Sequence, residues 1–508
     1  MHKKLLLIII LLVSIVLIAL VYKGNRGEPV AYQSSHDTRV GGPFESSNST
    51  ARYALTEAIV EDGVLSLDLE RAKFASPDVV ETNGKFYSVF TPGISFIAVP
   101  FYIFGKYLGI PQLVTYLSVA LFSLFNVFLV AQVARKLGAS FWTSIFGGFV
   151  FLFATNALGY SQTLTQHNIG VSVLLLATLI TLSKTSFFKN VLFGALAGIG
   201  VLIDVPILIL MIPLGLYLLA RHFKPAKVNE KLRMSINVSL IGLLLGIIPF
   251  IMFFGWYNHQ TTGSYTTLTQ SLGRTDAFSV LTEKQKQEIA VQDKKVEKEV
   301  GLELPFDTRL QVQGFYILVM SPERAWLFYS PIVFLGVAGL FVGWKNAKKQ
   351  TAVSLFASIV LLNLVLYSMF GDPWGGWSFG PRYLIPAAAL LCAFLPLFLD
   401  KYKKNYFVIL ITMILFGFSV YINSIGVLTT NAIPPKVEAI ALSVPIPYTP
   451  EYNLNILQSN QSSSLLYNHY LSAWLPARNY AFIYVMLVFV AGIGLYTISI
   501  FKQDKEKK

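Results

Sequence analysis

Residues 91–105 read TPGISFIAVPFYIFG, and whether this stretch crosses a membrane decides how the rest of the chain is threaded. It is apolar, yet its 15 residues fall short of the roughly 20 that a helical span needs. Two prolines, Pro92 and Pro100, and two glycines, Gly93 and Gly105, interrupt it. Thr91 is suited to cap a helix with Pro92 in its first turn. The expected structure is an interfacial or re-entrant helix on the outer face. A full span is the rival, and it breaks the parity of the remaining spans.

That parity follows from composition and charge. The 508 residues are 54% hydrophobic and 13% charged, with mean hydropathy +0.59; a soluble domain carries about 25% charged residues. The chain therefore reads as an all-α polytopic membrane protein. Runs of span length lie at 4–21, 112–134, 139–157, 168–185, 235–257, 326–344, 352–369, 382–399, 406–427 and 479–501. The run 189–221 is too long for one span, and Asp204 and Pro206 divide it into two. Basic clusters at Lys3–Lys4, Arg135–Lys136, Lys184 with Lys189, Arg221 to Arg233, Lys345 to Lys349, Lys401 to Lys404 and the tail KQDKEKK belong inside by the positive-inside rule. Twelve spans result, with both termini cytoplasmic in the plasma membrane.

The net charge of +13 resides in these clusters, so it is a topology signal and not a nucleic-acid footprint. The run 4–21 lacks a small-x-small cleavage pattern and is expected to stay as an uncleaved span. Cys392, the single cysteine, sits in an apolar run as a small core residue.

The expected organisation is a first transmembrane helix over 1–21 and an outer loop over 22–111 with interfacial helices. Transmembrane helices 2–7 follow over 112–257, an outer loop over 258–325, and helices 8–11 over 326–427. An outer loop over 428–478 precedes the last helix and basic cytoplasmic tail over 479–508.

The outer loops hold the polar residues that lipid does not require. In the first, NSTARYALTEAIVEDG has apolar residues at helical spacing, with Asn48 as cap and Gly63 as stop. This predicts an amphipathic helix on the membrane surface, with Arg52 and Tyr53 near its start. TNGK predicts a turn between two short extended pieces, flanked by Asp78 and Tyr87. Asp37 and Glu45 lie in a Gly/Ser/Pro-rich stretch where a solvated carboxylate is the simpler reading.

His167 opens the next helix from outside, either as an interfacial polar residue or as a ligand of substrate. Asp204, an acid inside an apolar run, is expected to face a cavity. The charged stretch TEKQKQEIAVQDKKVEKEVG reads as a solvated helix. Glu323 and Arg324 stand at the lip of a span, as a structural bridge or as part of a phosphate site. In WGGWSFGPRYLIP, Trp374 and Trp377 suit the interface and the glycines permit close backbone approach. Arg382 offers a planar fork that matches phosphate oxygens, with snorkelling as the alternative.

Four stretches in order, SSNSTARYALTEAIVEDGVLSLD, DVVETNGKFYSVFTPGISFIAVPFYIFG, SPERAWLFYSP and GPRYLIPAAALL, resemble the membrane glycosyltransferases of the C-type (GT-C) superfamily. The branch they are most similar to is the lipid-carrier-dependent one near the protein O-mannosyltransferases and aminoarabinose transferases. The resemblance covers most of residues 1–400 and implies an inverting transfer from a polyprenyl-phosphate sugar to a protein, lipid or glycan acceptor on the outer face. It places the catalytic carboxylate in the first outer loop. Members often carry an Asp or Glu directly after the first span, where this chain has ESSNSTARY, so Asp78, Glu45 and Asp37 are the candidate bases.

Arg382, Arg52 and Arg324 are the candidates to stabilise the departing lipid phosphate. His167, Asn48, Tyr87, Glu323 and Tyr383 are candidates for donor contacts, and Trp374 and Tyr53 for stacking on sugar or isoprenoid. No cofactor is demanded; a divalent ion stays open, though no ligand cluster calls for one. Membrane lipid is the expected surrounding partner, and nucleic acid is not. A flippase of lipid-linked sugars and a degenerate, non-catalytic relative are the rival readings.

Overall fold

The structure, a computed structural model, describes residues 2–24, 41–228, 231–236, 238–275, 311–347, 349–442 and 444–501. Asp37, the charged stretch 282–301 and the tail from 502 lie outside these residues. The chain is helical almost throughout, as expected of a polytopic membrane protein. After α1 (His2–Leu20), a short region holds α2 (Ser47–Glu61), α3 (Leu69–Ala75), the hairpin β1 (Val79–Thr82) and β2 (Lys85–Ser88), and α4 (Gly93–Tyr107). The bundle continues with α5 (Pro111–Lys136), α6 (Phe141–Phe153), α7 (Gln166–Thr181), α8 (Phe187–Ile203) and α9 (Val205–Ala220). A second hairpin, β3 (Phe223–Val228) and β4 (Lys231–Ile236), leads to α10 (Ile241–Thr262). Then come α11 (Gln311–Val319), α12 (Trp326–Tyr329), α13 (Val333–Trp344), α14 (Gln350–Ser368), α15 (Ile385–Tyr402) and α16 (Tyr406–Val427). The chain closes with α17 (Lys436–Ala441), α18 (Glu451–Gln458) and α19 (Ala477–Phe501).

Among the described residues six helices are long and apolar enough to cross a bilayer, and seven shorter ones are apolar. With α4 set aside, twelve remain. At about 1.5 Å per residue the 15 residues of α4 reach about 22 Å, short of a hydrocarbon core of about 30 Å. One end leaves Ile103, Phe104, Tyr107 and Leu108 exposed, as an interfacial helix does. The short α6 is continued by residues 154–165, which are irregular but buried throughout. Non-helical backbone at membrane depth is tolerated only inside protein in this way.

Several boundaries differ from expectation. The span foreseen over 235–257 starts at Ile241, because 231–236 pair in the β3–β4 hairpin. The span foreseen over 326–344 breaks at Ser330–Ile332, where Pro331 follows α12. Asn48 does not cap α2: Ser46 is the N-cap, and the Asn48 side chain turns to Arg52 instead. Nor does α2 lie on the membrane by an apolar stripe, for every residue from Ser49 to Ala58 is buried. One side meets Phe44, Phe74, Tyr102 and Tyr116, and the other carries Arg52 inward. Thr91 does not cap α4; its hydroxyl donates to Ile203 O at 2.9 Å, the last carbonyl of α8.

Glycines decide how closely the helices approach. A Cβ on Gly148 would stand 2.0 Å from Val127 O of α5, and one on Gly147 2.6 Å from Cys392 O of α15. Small residues at such crossings let backbones meet inside a bilayer. Gly148→Val forces α5 and α6 apart. Its expected cost is about 1–3 kcal/mol, read as a lower thermal midpoint of the purified protein in detergent.

The surface region is pinned by a charge cluster. Arg71 bonds Glu57, Asp62 and Asp68, while Tyr102 donates to Glu57 at 3.3 Å and Glu61 at 3.0 Å. Burial raises the Glu57 carboxyl from 4.5 to about 7, against the opposing pull of Arg71. The folded chain therefore holds this proton more tightly than the unfolded chain. The contribution of Glu57 to stability is greatest below about pH 4.5 and declines as the pH climbs to about 7. Between these limits wild type should lose on the order of 1–3 kcal/mol relative to Glu57→Gln, measured as thermal midpoint against pH. Parallel curves for the two proteins would refute this.

Candidate active site

Two foreseen residues are tied into contacts between distant segments. Glu45 is buried, and its carboxylate accepts from Gly41 N at 2.8 Å, Thr430 Oγ1 at 2.6 Å and Asn431 N at 2.9 Å, and pairs with Lys23 Nζ at 2.8 Å. These contacts tie the region after α1 to a segment almost four hundred residues away. Arg324 is fully buried and donates to the carbonyls of Trp374 (3.0 Å), Glu323 (2.8 Å), Gly376 (3.2 Å) and Ile433 (2.7 Å). It holds the tryptophan loop against the residues after α16, which is the bridging alternative foreseen for it. Glu323 accepts from Lys436 N at 3.0 Å in the same joint. Tyr53 is a core residue in the aromatic cluster around Phe44, and Tyr87 packs with Val80 and Val89 beneath the β1–β2 hairpin.

The remaining candidates converge. The break between α8 and α9 turns on Asp204, whose extended backbone ends one helix and begins the next, with Pro206 in the first turn. Gly93 packs directly on this break, since a Cβ there would meet the Leu202 carbonyl carbon at 2.5 Å. So α4 brings the first loop to Asp204. Gln166, the first residue of α7, lies beside the Asp204 carboxylate, whose charged form it favours, and accepts from Arg52 Nη2 at 2.9 Å. Arg52 Nη1 donates to Asn48 O at 2.8 Å and to the Asn48 side chain. Its guanidinium carbon lies 3.9 Å from the centroid of the Phe90 ring, a cation–π seat.

Burial lowers Arg52 to about 10, with Asp204 and Asp78 raising it and Arg382 lowering it further. It stays charged. Burial likewise raises the Asp204 carboxyl to about 6, held down in part by Arg52, Gln166 and Arg382.

Arg382 enters from the tryptophan loop. Gly375, Gly376 and Gly380 all have positive φ, at 74°, 59° and 63°. A Cβ on Gly375 would stand 2.9 Å from Arg382 Nε, so the loop lies flat on the guanidinium only as glycine. On the other side Arg382 sits 5.2 Å from the Tyr383 ring, itself stacked on Tyr367 at 4.3 Å. His167 is buried edge-on to Tyr160 at 5.0 Å, within electrostatic reach of both arginines. A narrow cavity reaches Arg382 between Glu45, Tyr160, Thr165, Trp377 and Asn431.

The polar accounting of this centre does not close. Arg52 Nε, Arg382 Nε, His167 Nε2, Trp374 Nε1 and both amide atoms of Asn156 are buried without a hydrogen-bond partner among the described residues. Buried polar groups are rarely left so. Several orphans of donor type beside two guanidinium groups describe a place for an anion. Asp78 stands near: its Oδ2 accepts from Ser47 Oγ at 2.6 Å, at the start of α2, and its charge is felt by Arg52.

Asn156, Tyr160, Gln166 and Ser47 were not singled out as ligands from sequence. For Asn156 the signal was present, a lone amide in the apolar run FLFATNALG. Among the described residues no three His, Cys, Asp or Glu side chains group as metal ligands.

No family model and no curated protein sequence matches the chain. Among solved structures it is similar to ArnT from Cupriavidus metallidurans bound to undecaprenyl phosphate, with TM-score 0.50 and 14% identity over 98% of this chain and 77% of that one. The apo state of the same protein aligns at TM-score 0.49 and 12% identity, over 98% and 78% of the two chains. The Archaeoglobus fulgidus oligosaccharyltransferase in complex with Zn and sulfate aligns at TM-score 0.49 and 14% identity, over 84% of this chain and 53% of that one. The likeness to the undecaprenyl phosphate complex is one of fold: this chain has the GT-C fold.

Proposed function

We propose that the chain is an integral-membrane glycosyltransferase that moves a sugar from a polyprenyl-phosphate carrier to an acceptor hydroxyl on the outer face, with inversion. The observation that carries this is an arginine pair, buried Arg52 and half-buried Arg382, whose buried Nε atoms lack partners among the described residues, beside His167 and Asp204. An anionic group is the natural complement of that centre, and the similar ArnT structure contains undecaprenyl phosphate. The outer placement rests on the basic clusters, which lie at the opposite ends of the spans from the site.

In the reaction, the acceptor oxygen attacks the anomeric carbon and the bond from that carbon to the phosphate oxygen breaks. The electron pair leaves on the phosphate, where Arg52 and Arg382 meet the developing charge. Asp78 takes the acceptor proton. Asp204, beside Gln166 and within electrostatic reach of Arg52, balances that arginine's charge.

The test is transfer from polyprenyl-phosphate sugars by the purified protein in liposomes. Specific binding of the carrier with no turnover of any donor would favour the flippase or degenerate reading.

A further inference from the structure

Asp78, taken as the base in the reading above, is closed to any acceptor. Its side chain is 2% exposed. Oδ2 is held by Ser47 Oγ, and Oδ1 lies 2.7 Å from Arg274 Nη2. The backbone offers no retreat, because Asp78 N donates to Ala75 O at 3.0 Å and its carbonyl accepts from Val89 N at 3.1 Å. One of the two side-chain partners must therefore move before a hydroxyl can reach the carboxylate.

The two partners are unequal. Ser47 is the first residue of α2, a helix buried along most of its length. Arg274 is 60% exposed. Its contact with Oδ1 is one of charge, since that oxygen has no directed hydrogen bond. Arg274 belongs to a segment that rides on the hairpin through two bonds, Thr269 Oγ1 to Val89 O at 3.0 Å and Thr275 N to Val79 O at 2.9 Å.

Directly beside it an open groove runs between the hairpin turn and this segment, lined by Glu81, Thr82, Asn83, Gly84 and residues 272–275. Asn83 and Gly84, at φ 53° and 70°, form the tight turn at one wall of the groove. Carboxylate, hydroxyl, amide and guanidinium groups line it with one leucine, a set suited to sugar hydroxyls and not to a lipid tail.

We propose that this groove admits a hydrophilic, polyhydroxylated acceptor, a glycan, and that the acceptor displaces Arg274 to reach Asp78 Oδ1. Until then Arg274 keeps water from the base, so that a loaded donor is not hydrolysed. This rests on the reading of Asp78 as the base.

Two measurements on the full-length protein test it. The first labels carboxylates with a water-soluble carbodiimide and an amine, read by peptide mass spectrometry. Asp78 should be protected in wild type and labelled in Arg274→Ala, with Arg274→Lys in between. Continued protection in Arg274→Ala overturns the proposal whatever the activity.

The second measures release of free sugar from a polyprenyl-phosphate hexose with no acceptor present. Arg274→Ala should raise it roughly two- to fivefold, the range that an ion pair with one solvent-exposed partner can hold back. Adding a soluble oligosaccharide should protect Asn83→Cys from a maleimide, against a background in which Cys392 is buried. Hydrolysis that is unchanged or lower in Arg274→Ala removes the gating role, and protection by a hydroxylated peptide instead of the oligosaccharide removes the glycan. Labelling that behaves as expected while Asp78→Asn transfers sugar normally would leave the cover intact and refute Asp78 as base.

Discussion

Asp78→Asn leaves a folded protein whose sugar transfer falls by about 10²–10⁴-fold, the contribution of a positioned general base. Asparagine keeps an acceptor for Ser47 Oγ, now bonded to Asp78 Oδ2 at 2.6 Å, and the backbone contacts with Ala75 and Val89 do not depend on the side chain. The loss therefore belongs to the chemical step. Donor binding, measured with the polyprenyl phosphate alone, stays near the wild-type value. Glu45→Gln behaves differently, because the Glu45 carboxylate is consumed by Lys23, Gly41, Thr430 and Asn431. Removing its charge leaves Lys23 buried and unpaired, which costs about 3–5 kcal/mol. The expected phenotype is a low yield of folded protein, with normal turnover per folded molecule. A Glu45 variant that folds well and is inactive, beside an active Asp78→Asn, would reverse the assignment.

Arg382→Ala and Arg52→Ala should each lower transfer by about 10²–10³-fold, the scale of losing one preorganised donor to a developing oxyanion. Both the donor KM and kcat move, since the phosphate is charged before the bond breaks and more so afterwards. Arg52→Lys does not rescue. An ammonium cannot span Asn48 and Gln166 together or lie flat on Phe90 as the guanidinium does. Arg324→Ala is the control of the same residue type. It frees the carbonyls of Trp374, Gly376 and Ile433 inside the protein, so its damage appears as instability. If Arg382→Ala binds polyprenyl phosphate and transfers sugar at wild-type rates, the phosphate assignment is wrong.

Much of the architecture was written in local pattern. Apolar runs of span length, the break at Asp204 and Pro206, the Asn83-Gly84 turn and the short interfacial stretch 91–105 are all properties of neighbours in the chain. Each depends on a period, a length or a backbone preference, so each can be read without knowing what lies across the bundle. The helix after Asn48 was foreseen for the same reason, though its burial on all sides was not. Arg52 and Tyr53 are adjacent in sequence and face opposite worlds, one a polar centre and the other an aromatic core.

The sequence by itself determined a polytopic helical protein with polar residues in the loops between apolar runs. It also singled out the arginines and carboxylates from which a site is assembled. Only the tertiary structure decided which of them meet at one centre and which are tied into contacts between distant segments. Glu45 and Asp78 are both carboxylates, and Arg324 and Arg382 both arginines, in similar settings along the chain. What separates them is how they are held: Lys23, Thr430 and Asn431 enclose Glu45 and three loop carbonyls enclose Arg324, whereas Asp78 meets the exposed Arg274 and Arg382 keeps an unpartnered Nε among the described residues. Hydrogen-bond satisfaction in a buried medium is a sum over partners hundreds of residues apart, and no local pattern in the chain records it.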